Sequence, residues 1–347
     1  MKSKFVAAVN CAISTVLVVV LLQVDGTAAA AEDKGARIRD NLYATKFVSP
    51  KEGWAVGAFG VIFHTVDGGG SWQPQVSRTT EPLFAVDFVD QRMGWIVGRS
   101  GLVLHTDNGG QSWTPQSSGT DKHLFGVDFV DANFGIAVGD WGAVLLTRDG
   151  GKTWQARSLS QDVILNDLQM VDVSHGWIVG EMGTLLKTED GGESWVQRDI
   201  GVPKTLYGVQ FTDAQHGWLV GLDGLIIDTE DGGQTWTVRH GSPEIGALEQ
   251  VQFSQAVDNP SLYAVSITNN RGFIVGETGA IFTSRDGGRT WARQPEPEDW
   301  GLGWLRDISI VPGTHGMIVG ADGRQVPIVN GEIETKGEER SATETSD

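Results

Sequence analysis

The sequence predicts an all-β fold, a seven-bladed β-propeller with four-stranded blades, and two repeated phrases carry this prediction. The first phrase, Thr/Ser-x-Asp/Asn-Gly-Gly-x-Ser/Thr-Trp, occurs six times, and its first five copies follow one another at a period of 41 residues. Their closing tryptophans are Trp72, Trp113, Trp154, Trp195 and Trp236. The second phrase, Gly-x-x-Val-Gly, occurs seven times, from 53–57 to 316–320. Seven such units are typical of blades around a common axis, because one small sheet cannot bury both of its faces alone.

Each unit contains four short β-prone runs that are separated by clusters of Gly and Asp. In the fifth unit these runs are 206–211, 217–220, 225–228 and 235–238. No stretch shows the 3.6-residue periodicity of an amphipathic helix over a helix length. We therefore expect one propeller domain over residues 32–330, with a right-handed β-solenoid as the alternative architecture.

The third residue of the first phrase is expected to serve the fold. A carboxylate there can accept backbone N–H bonds in a hairpin turn whose glycines supply positive φ, while the tryptophan packs beneath the turn. Unit two has asparagine at this place, which keeps the turn bond without the charge. This favours a structural turn over a calcium site or a phosphate-binding loop. The turn residues are Asp67, Asn108, Asp149, Asp190, Asp231 and Asp286, and the sixth copy closes with Trp291.

The N-terminal residues are typical of a secretory signal peptide over 1–31. Lys2 and Lys4 precede an apolar run over 5–22, and small residues follow up to the predicted cleavage near Ala30 or Ala31. This predicts export, to the periplasm or an equivalent compartment. An uncleaved anchor is the alternative, since the apolar run is close to the shortest that spans a bilayer. At the other end, the polar tail over 331–347 is predicted to be disordered.

The charge and cysteine content exclude several function classes. Without residues 1–31, the chain keeps 24 basic and 43 acidic residues, a charge of −19, and loses Cys11, its one cysteine. A strongly acidic protein is a poor partner for nucleic acid, and a chain without cysteine has no disulfide or thiolate chemistry. The 7 histidines show no short ligand spacing. We therefore expect no metal site and no cofactor.

The repeated phrases also carry a family resemblance. The first phrase resembles the Asp-box of the bacterial neuraminidase repeat. Its combination with Gly-Trp-x-Val-Gly is similar to the photosystem II stability/assembly factor family, and the resemblance covers all seven units. It implies an exported seven-bladed propeller that acts as a non-enzymatic chaperone for a membrane complex. The arginine-rich patch that photosynthetic members use for their client has no position-by-position match here.

The main alternative is a sialidase-like enzyme. Such an enzyme needs three arginines that converge on a carboxylate, a tyrosine nucleophile paired with glutamate, and an acid/base aspartate. The tyrosines are limited to Tyr43, Tyr207 and Tyr263, and no arginine occupies equivalent places in three blades. The Phe-Arg-Ile-Pro-like opening of sialidases is replaced by Arg37-Ile38-Arg39-Asp40. We therefore expect no catalytic residues.

A partner-binding face is predicted from the tryptophans that the repeat does not explain, Trp141, Trp300 and Trp304. They map to the blade face that carries the turns between strands two and three and the links between blades, opposite the Asp-box turns. This mostly acidic, partly aromatic face suits a basic or amphipathic protein segment, and packing over the closure seam is the alternative role for the tryptophans. The other candidates on this face are Phe59, Arg99, Asp140, Glu181, Asp223, Glu277, Asp322, Lys122 and His123.

Two further expectations concern the inner strands and unit six. A ring of inner-strand side chains is expected to line a central channel and to be satisfied by water, with a cation between two of the aspartates as the alternative. These are Lys46, Asp87, Asp128, Gln169, Gln210, Gln252 and Ser309. Unit six is 14 residues longer than the period, and 13 of these are expected between Phe253 and Phe273, on the Asp-box face. The run over 262–267 is an alternative extra strand.

The sequence thus predicts a monomeric, non-enzymatic, exported protein-binding propeller. Its role would be a scaffold or assembly factor for an envelope membrane-protein complex, with a transporter as one candidate client. The alternative is a carbohydrate-binding or glycoside-hydrolase propeller that uses the same face to stack sugars.

Overall fold

A computed structural model describes residues 38–241, 259–295, 303–311 and 315–334. The seven-bladed β-propeller with four-stranded blades is confirmed, which excludes the solenoid. In the described ranges no helix is long and apolar enough to cross a membrane. The signal peptide, its cleavage site and residues 335–347 lie outside the described residues, while residues 331–334 of the predicted tail are described and contain the strand Glu332–Ile333. The proposed domain limits stay predictions.

Each blade is an antiparallel sheet of four strands that are consecutive in the chain. Blade 1 contains β1 (Leu42–Phe47), β2 (Gly53–Gly57), β3 (Ile62–Thr65) and β4 (Gln73–Gln75). Blades 2 to 4 contain β5 (Leu83–Phe88), β6 (Gly94–Gly98), β7 (Leu102–Thr106), β8 (Thr114–Ser117), β9 (Leu124–Phe129), β10 (Gly135–Gly139), β11 (Val144–Thr147), β12 (Gln155–Ala156), β13 (Leu165–Met170), β14 (Gly176–Gly180), β15 (Leu185–Thr188) and β16 (Val196–Gln197). Blades 5 to 7 contain β17 (Leu206–Phe211), β18 (Gly217–Gly221), β19 (Ile226–Thr229), β20 (Thr237–His240), β21 (Leu262–Thr268), β22 (Arg271–Gly276), β23 (Ile281–Ser284), β24 (Ala292–Arg293), β25 (Leu305–Val311), β26 (His315–Gly320), β27 (Gln325–Val329) and β28 (Glu332–Ile333).

The hydrophobic core consists of layers between neighbouring blades. Between blades 1 and 2, for example, Trp54 is fully buried and stacks on Phe88 with ring centroids 3.6 Å apart. Its indole N–H also donates to the Gly109 carbonyl of the Asp-box turn in blade 2, at 3.3 Å. The tryptophan of Gly-Trp-x-Val-Gly therefore ties one blade to the next, which explains why the repeat keeps it in four units.

The ring closes without a blade that combines strands from both ends of the chain. Blade 1 contains only β1 to β4, and blade 7 contains only β25 to β28. Side chains of blade 7 bridge the seam by accepting backbone N–H bonds from β1. Asp307 accepts from Thr45 at 2.8 Å, and Ser309 accepts from Phe47 at 2.9 Å. Closure therefore depends on the same kind of contact that joins the other blades.

The expected position of the unit-six insertion is wrong. The inner strand of blade 6 is β21, so the long connection lies before it, between His240 and Leu262, and both of these ends are on the face that carries the links. The reason is the pair Leu262-Tyr263, which repeats the Leu-aromatic start of β1, β5, β9 and β17. Gln252 and Phe253 lie outside the described residues, and Ser266 takes the channel position that had been expected for Gln252.

The aspartates of the Asp-box turns make the bonds expected of a capping residue. In blade 4, Asp190 accepts from the Ser194 backbone N–H at 2.9 Å and from the Ser194 and Thr188 hydroxyls at 2.6 and 2.8 Å. Asn108 reverses one of these bonds, because its amide donates to the Ser112 hydroxyl at 2.9 Å. The turn therefore persists with either side chain.

These bonds predict an acid-sensitive contribution to stability. The Thr235 hydroxyl and backbone N–H lower the pKa of Asp231 to about 2, below the usual Asp value of about 3.9. The ionised form therefore stabilises the fold above about pH 4, and this contribution is lost as the pH falls towards 2. Asp231→Asn should reduce the fall in Tm between pH 4 and pH 2, measured by circular dichroism. Asn108→Asp is the converse variant and should increase that fall; an unchanged pH profile in both would contradict the assignment.

Candidate functional site

The turns between the second and third strands meet the interblade links on one face of the propeller, here called the turn face. The first residue of each turn donates its backbone N–H to the link just before the inner strand of its own blade, as from Asp140 to the His123 carbonyl at 3.0 Å. The seven single-turn 3-10 segments are Ala58–Gly60, Arg99–Gly101, Asp140–Gly142, Glu181–Gly183, Leu222–Gly224, Glu277–Gly279 and Ala321–Gly323. All described candidate residues lie on this face, and Trp300 lies outside the described residues.

The central residue of every turn has a left-handed backbone, with φ between 52° and 57°. The seven residues are Phe59, Ser100, Trp141, Met182, Asp223, Thr278 and Asp322. Asp is common in this region, whereas bulky side chains are strained there. Phe59, Trp141 and Met182 nevertheless occupy it with exposed fractions of 72 %, 56 % and 70 %. Burial therefore does not explain these three side chains, and backbone strain without burial points to a contact role.

Met182 belongs to this set, and the sequence already places it in the turn between strands two and three of blade 4. The signal was available, because Met182 stands at the same repeat position as Trp141, one period later. A methionine side chain is flexible and polarisable and suits an adaptable apolar contact. Within the turn face, blades 1, 3 and 4 thus present apolar tips, and blades 5 and 7 present aspartates.

The charged candidates are partly engaged within the protein. Asp223 pairs with Lys204 at 3.0 Å, and the lysine is 4 % exposed. Lys122 lies over the Trp141 ring, 4.6 Å from its centroid, which orients the indole on the turn face. His123 accepts the Ser100 backbone N–H through Nδ1 at 3.0 Å, an assignment that leaves its proton on Nε2.

Trp304 plays a different role from Trp141. It is half-buried and stacks on Tyr43 of blade 1, with centroids 5.9 Å apart and planes inclined by 16°. Since Trp304 belongs to blade 7, this contact lies across the closure seam. The seam alternative therefore fits Trp304, whereas the exposed Trp141 remains a candidate for an external contact.

We expect the two tryptophans to differ in their contribution to stability. Trp304→Ala removes the stacked ring across the seam and should lower the free energy of unfolding by about 2 kcal/mol, less than for a fully buried tryptophan. Trp141→Ala removes an exposed side chain and should change it by less than about 0.5 kcal/mol. Urea titrations of both variants measure the difference, and equal effects would show that the two side chains serve one role.

The central channel opens on the turn face through a ring of inner-strand side chains. Its mouth contains Tyr43, Phe84, Phe125, Asn166, Tyr207, Tyr263 and Arg306, which line a cavity of about 310 Å³. The rings contact one another, as between Phe84 and Phe125 at 5.3 Å and between Tyr207 and Tyr263 at 5.3 Å. The sequence pattern places six of these side chains in one ring at the second residue of the inner strands, but for blade 6 it predicts Glu249, which lies outside the described residues, instead of Tyr263.

The deeper polar ring lines the same cavity, as expected, and several of its side chains also have hydrogen-bond partners within the protein. Its side chains bond the backbone of the next blade, as Asp87 does to the Phe129 N–H at 2.8 Å and Asp128 to the Met170 N–H at 2.7 Å. Lys46 pairs with Asp87 at 2.7 Å. The sequence pattern could not reveal these bonds, because they join residues one whole period apart across a blade interface.

Burial alters the ionisation of the channel carboxyls. Removal from water raises the pKa of Asp167 to about 7, against the usual value of about 3.9. Burial, with a further rise from Asp87, also raises the pKa of Asp128. The protonated form is therefore favoured in the folded state, so the contribution to stability falls as the pH rises from about 4 to about 7.

The upward shift of the Asp167 pKa predicts the effect of Asp167→Asn on stability. In the wild-type chain the Val209 N–H donates to the Asp167 carboxyl at 3.0 Å. Asparagine keeps an acceptor oxygen for this bond but carries no charge. Tm should therefore rise at pH 8 and change little at pH 5. Asp107→Asn, on an exposed Asp-box turn, is the matched control and should leave the pH dependence as it is; a lower Tm at pH 8 for Asp167→Asn would contradict the assignment.

One element of a sialidase-like site is present. The Tyr263 hydroxyl donates to Glu277 at 3.1 Å, and the Arg306 guanidinium lies 4.6 Å from the Tyr263 ring centroid. Burial and the nearby Glu277 raise the pKa of Tyr263, which opposes a phenolate nucleophile. Arg306 is the one arginine that lines the cavity in the described ranges, so the three-arginine cluster is not assembled there. No group of three or more His, Cys, Asp or Glu side chains that could hold a metal occurs among the described residues.

Comparison with known proteins identifies one matching family. The sequence model of the photosynthesis system II assembly factor YCF48 family matches residues 32–118, 113–197 and 195–297. No curated protein matches the chain.

Several solved structures share the fold. YCF48 bound to a D1 peptide superposes with a TM-score of 0.68 at 22 % identity, covering 85 % of this chain and 95 % of the other. YCF48 from Cyanidioschyzon merolae gives 0.66 at 18 % identity, covering 85 % and 97 %. The GH74 xyloglucanase from Xanthomonas campestris gives 0.64 at 13 % identity, covering 85 % of this chain and 53 % of the enzyme. At these identities the similarity to solved structures concerns the fold alone.

Proposed function

Because the chain belongs to the photosystem II assembly factor YCF48 family, we propose that it is a non-enzymatic protein-binding propeller with a role in assembly. We propose further that it is exported after removal of residues 1–31 and acts as a monomer on an envelope membrane-protein complex, of which a transporter is one candidate. The turn face is the proposed binding surface. The peptide-bound YCF48 structure supports a protein partner for this class of propeller.

One observation carries the proposal, the exposure of Phe59, Trp141 and Met182 at left-handed turn centres. Aromatic and methionine side chains are enriched at protein interfaces, where they supply most of the binding energy. Their turns are held by backbone bonds to the links, so the surface is formed before binding and little ordering entropy is lost. A preformed apolar surface next to an aromatic channel mouth suits an extended or amphipathic segment of a partner.

The proposed assembly role can be tested in cells that lack the protein. We expect one envelope membrane complex to fall in abundance on native gels and to be restored by the wild-type chain. Trp141→Gly should fail to restore it, while Ser100→Gly, which changes the same turn position in blade 2, should succeed. Normal levels of all envelope complexes in the deletion strain would contradict the proposal.

The carbohydrate alternative retains one supporting observation, the hydrogen-bonded Tyr263–Glu277 pair beneath Arg306. A glycan array and a panel of chromogenic glycosides test it directly. Binding or hydrolysis that is lost in Tyr263→Phe would favour that function over protein assembly. Absence of both activities would leave the assembly function as the better account.

A further inference from the structure

The middle of the central channel departs from the repeat in two blades. Five blades have small residues at the third position of the inner strand, and these are Ala44, Ala85, Gly126, Gly208 and Ala264. All of them except Gly208 line the cavity below the aromatic mouth. Blades 4 and 7 place Asp167 and Asp307 at the same position. The small residues leave room in a cavity of about 310 Å³, while two carboxyls project into its lining. Ligand sites of proteins begin at roughly this size.

The fold itself does not require the negative charge in this channel. The bond that Asp128 makes to the next blade is made by neutral side chains elsewhere, as by Ser309 to the Phe47 N–H at 2.9 Å and by Gln169 to the Phe211 N–H. Asp167 and Asp307 occupy a position that the other blades fill without any side-chain bond at all. Asp167 and Asp307 do accept backbone N–H bonds from the next blade, from Val209 and Thr45, but a neutral oxygen accepts the same bond, so these bonds do not require the charge.

The charge is also incompletely balanced. Asp87, Asp128, Asp167 and Asp307 line the cavity, whereas Lys46 is bound to Asp87 and Arg306 lies at the mouth over the Tyr263 ring. Burial raises the pKa of Asp167 to about 7 and also raises that of Asp307. Arg306 and Lys46 partly offset this shift in the pKa of Asp307, whereas the pKa of Asp167 is influenced by Asp307 and Asp128 and, among the described residues, by no cationic side chain.

The mouth has the chemistry that a cation prefers. Tyr43, Phe84, Phe125, Tyr207 and Tyr263 surround the entrance, and aromatic faces attract ammonium and guanidinium groups. The stem of a lysine or arginine is apolar and packs on such rings while its charged end extends further. In blades 4 and 7, the residues at the mouth directly precede Asp167 and Asp307 in the strand. A lysine or arginine side chain that enters the mouth is therefore long enough to reach the two carboxyls.

We propose that the channel seats one basic side chain of the partner's segment, with its stem at the aromatic mouth and its charge at Asp167 and Asp307. The inference rests on the proposed protein-binding function and specifies the partner's chemistry at that site. The occupant is a side chain of a protein, because the exposed Phe59, Trp141 and Met182 lie on the same face as the entrance and provide apolar surface that a small cation would not contact. The chain's overall charge of −18 favours a basic partner.

Calorimetric titration with three blocked five-residue peptides tests the proposal. The peptides have leucine on both sides of a central lysine, norleucine or glutamate, and free butylamine is the fourth probe. We expect the lysine peptide to bind about tenfold tighter than the norleucine peptide, as a cation–π contact and two carboxyls would give. Asp167→Asn/Asp307→Asn should remove this preference, whereas the exposed pair Asp107→Asn/Glu230→Gln on the Asp-box face should keep it.

The outcomes separate this inference from the proposed function. No preference for lysine, or no binding of the lysine peptide at millimolar concentration, overturns the proposal that the channel binds a basic side chain. Butylamine that binds as tightly as the lysine peptide overturns the protein occupant in favour of a free amine. If the channel does not bind a basic side chain but Trp141→Gly still abolishes restoration of the membrane complex, the proposed protein-binding function stands without this inference.

Discussion

Trp95→Ala should lower the free energy of unfolding by about 3–5 kcal/mol, the largest effect that we expect from a single substitution in this protein. Trp95 is fully buried and stacks on Phe129 of the next blade, with centroids 3.6 Å apart and planes inclined by 6°. Its indole N–H donates to the Gly150 carbonyl at 3.1 Å. The substitution therefore opens a cavity between two blades and removes one of the two hydrogen bonds to the Gly150 carbonyl, which keeps the bond from the Gln116 amide at 2.9 Å.

Trp95→Phe separates these two contributions. Phenylalanine retains an aromatic ring against Phe129 but cannot donate to Gly150, so its cost should be nearer about 1–2 kcal/mol. Urea unfolding followed by circular dichroism measures both variants. A loss below about 1 kcal/mol for Trp95→Ala would mean that the interblade layer is not what holds the ring together.

Trp141→Gly should weaken binding of the partner by at least about 30-fold, as expected when a central interface tryptophan is removed. The same variant should keep or slightly raise the stability of the propeller, because φ at this residue is 54° and glycine adopts that backbone without strain. Opposite effects on binding and stability would distinguish a contact residue from a structural one.

The matched control for this variant is Ser100→Gly, which makes the same backbone change at the same turn position in blade 2. Binding can be measured as the yield of adduct from a photoreactive residue at position 59, in the corresponding turn of blade 1. We expect Ser100→Gly to leave the yield unchanged. Equal losses in the two variants would assign the effect to the turn backbone instead of the indole.

The architecture could be predicted from the sequence because each repeat corresponds to one blade and the repeat length is nearly constant. A constant 41-residue period locates the strands, the turns and the face on which each turn lies. Unit six is the exception, because counting from the preceding unit places its inner strand too early. The Leu262-Tyr263 pair carried the correct register, since a leucine and an aromatic residue begin four other inner strands.

The site was only partly predictable for a physical reason. The position of the turns in the repeat identified Phe59 and Trp141 as candidates. The sequence could not show that Trp141 is exposed while Trp304 is half-buried, because Trp304 packs on Tyr43 from the other end of the chain. The bonds of Asp87 and Asp128 likewise cross between blades. Contacts of this kind leave no local pattern in the sequence.

Photo-crosslinking in cells from position 141 tests the central claim, that the turn face binds a protein, most directly. A photoreactive amino acid of similar bulk replaces Trp141, and Val66, an exposed apolar residue in an Asp-box turn on the opposite face, is the control position. We predict a discrete adduct with an envelope membrane protein from position 141 and none from position 66. Adducts of equal yield from both positions, or none from either, would contradict the claim.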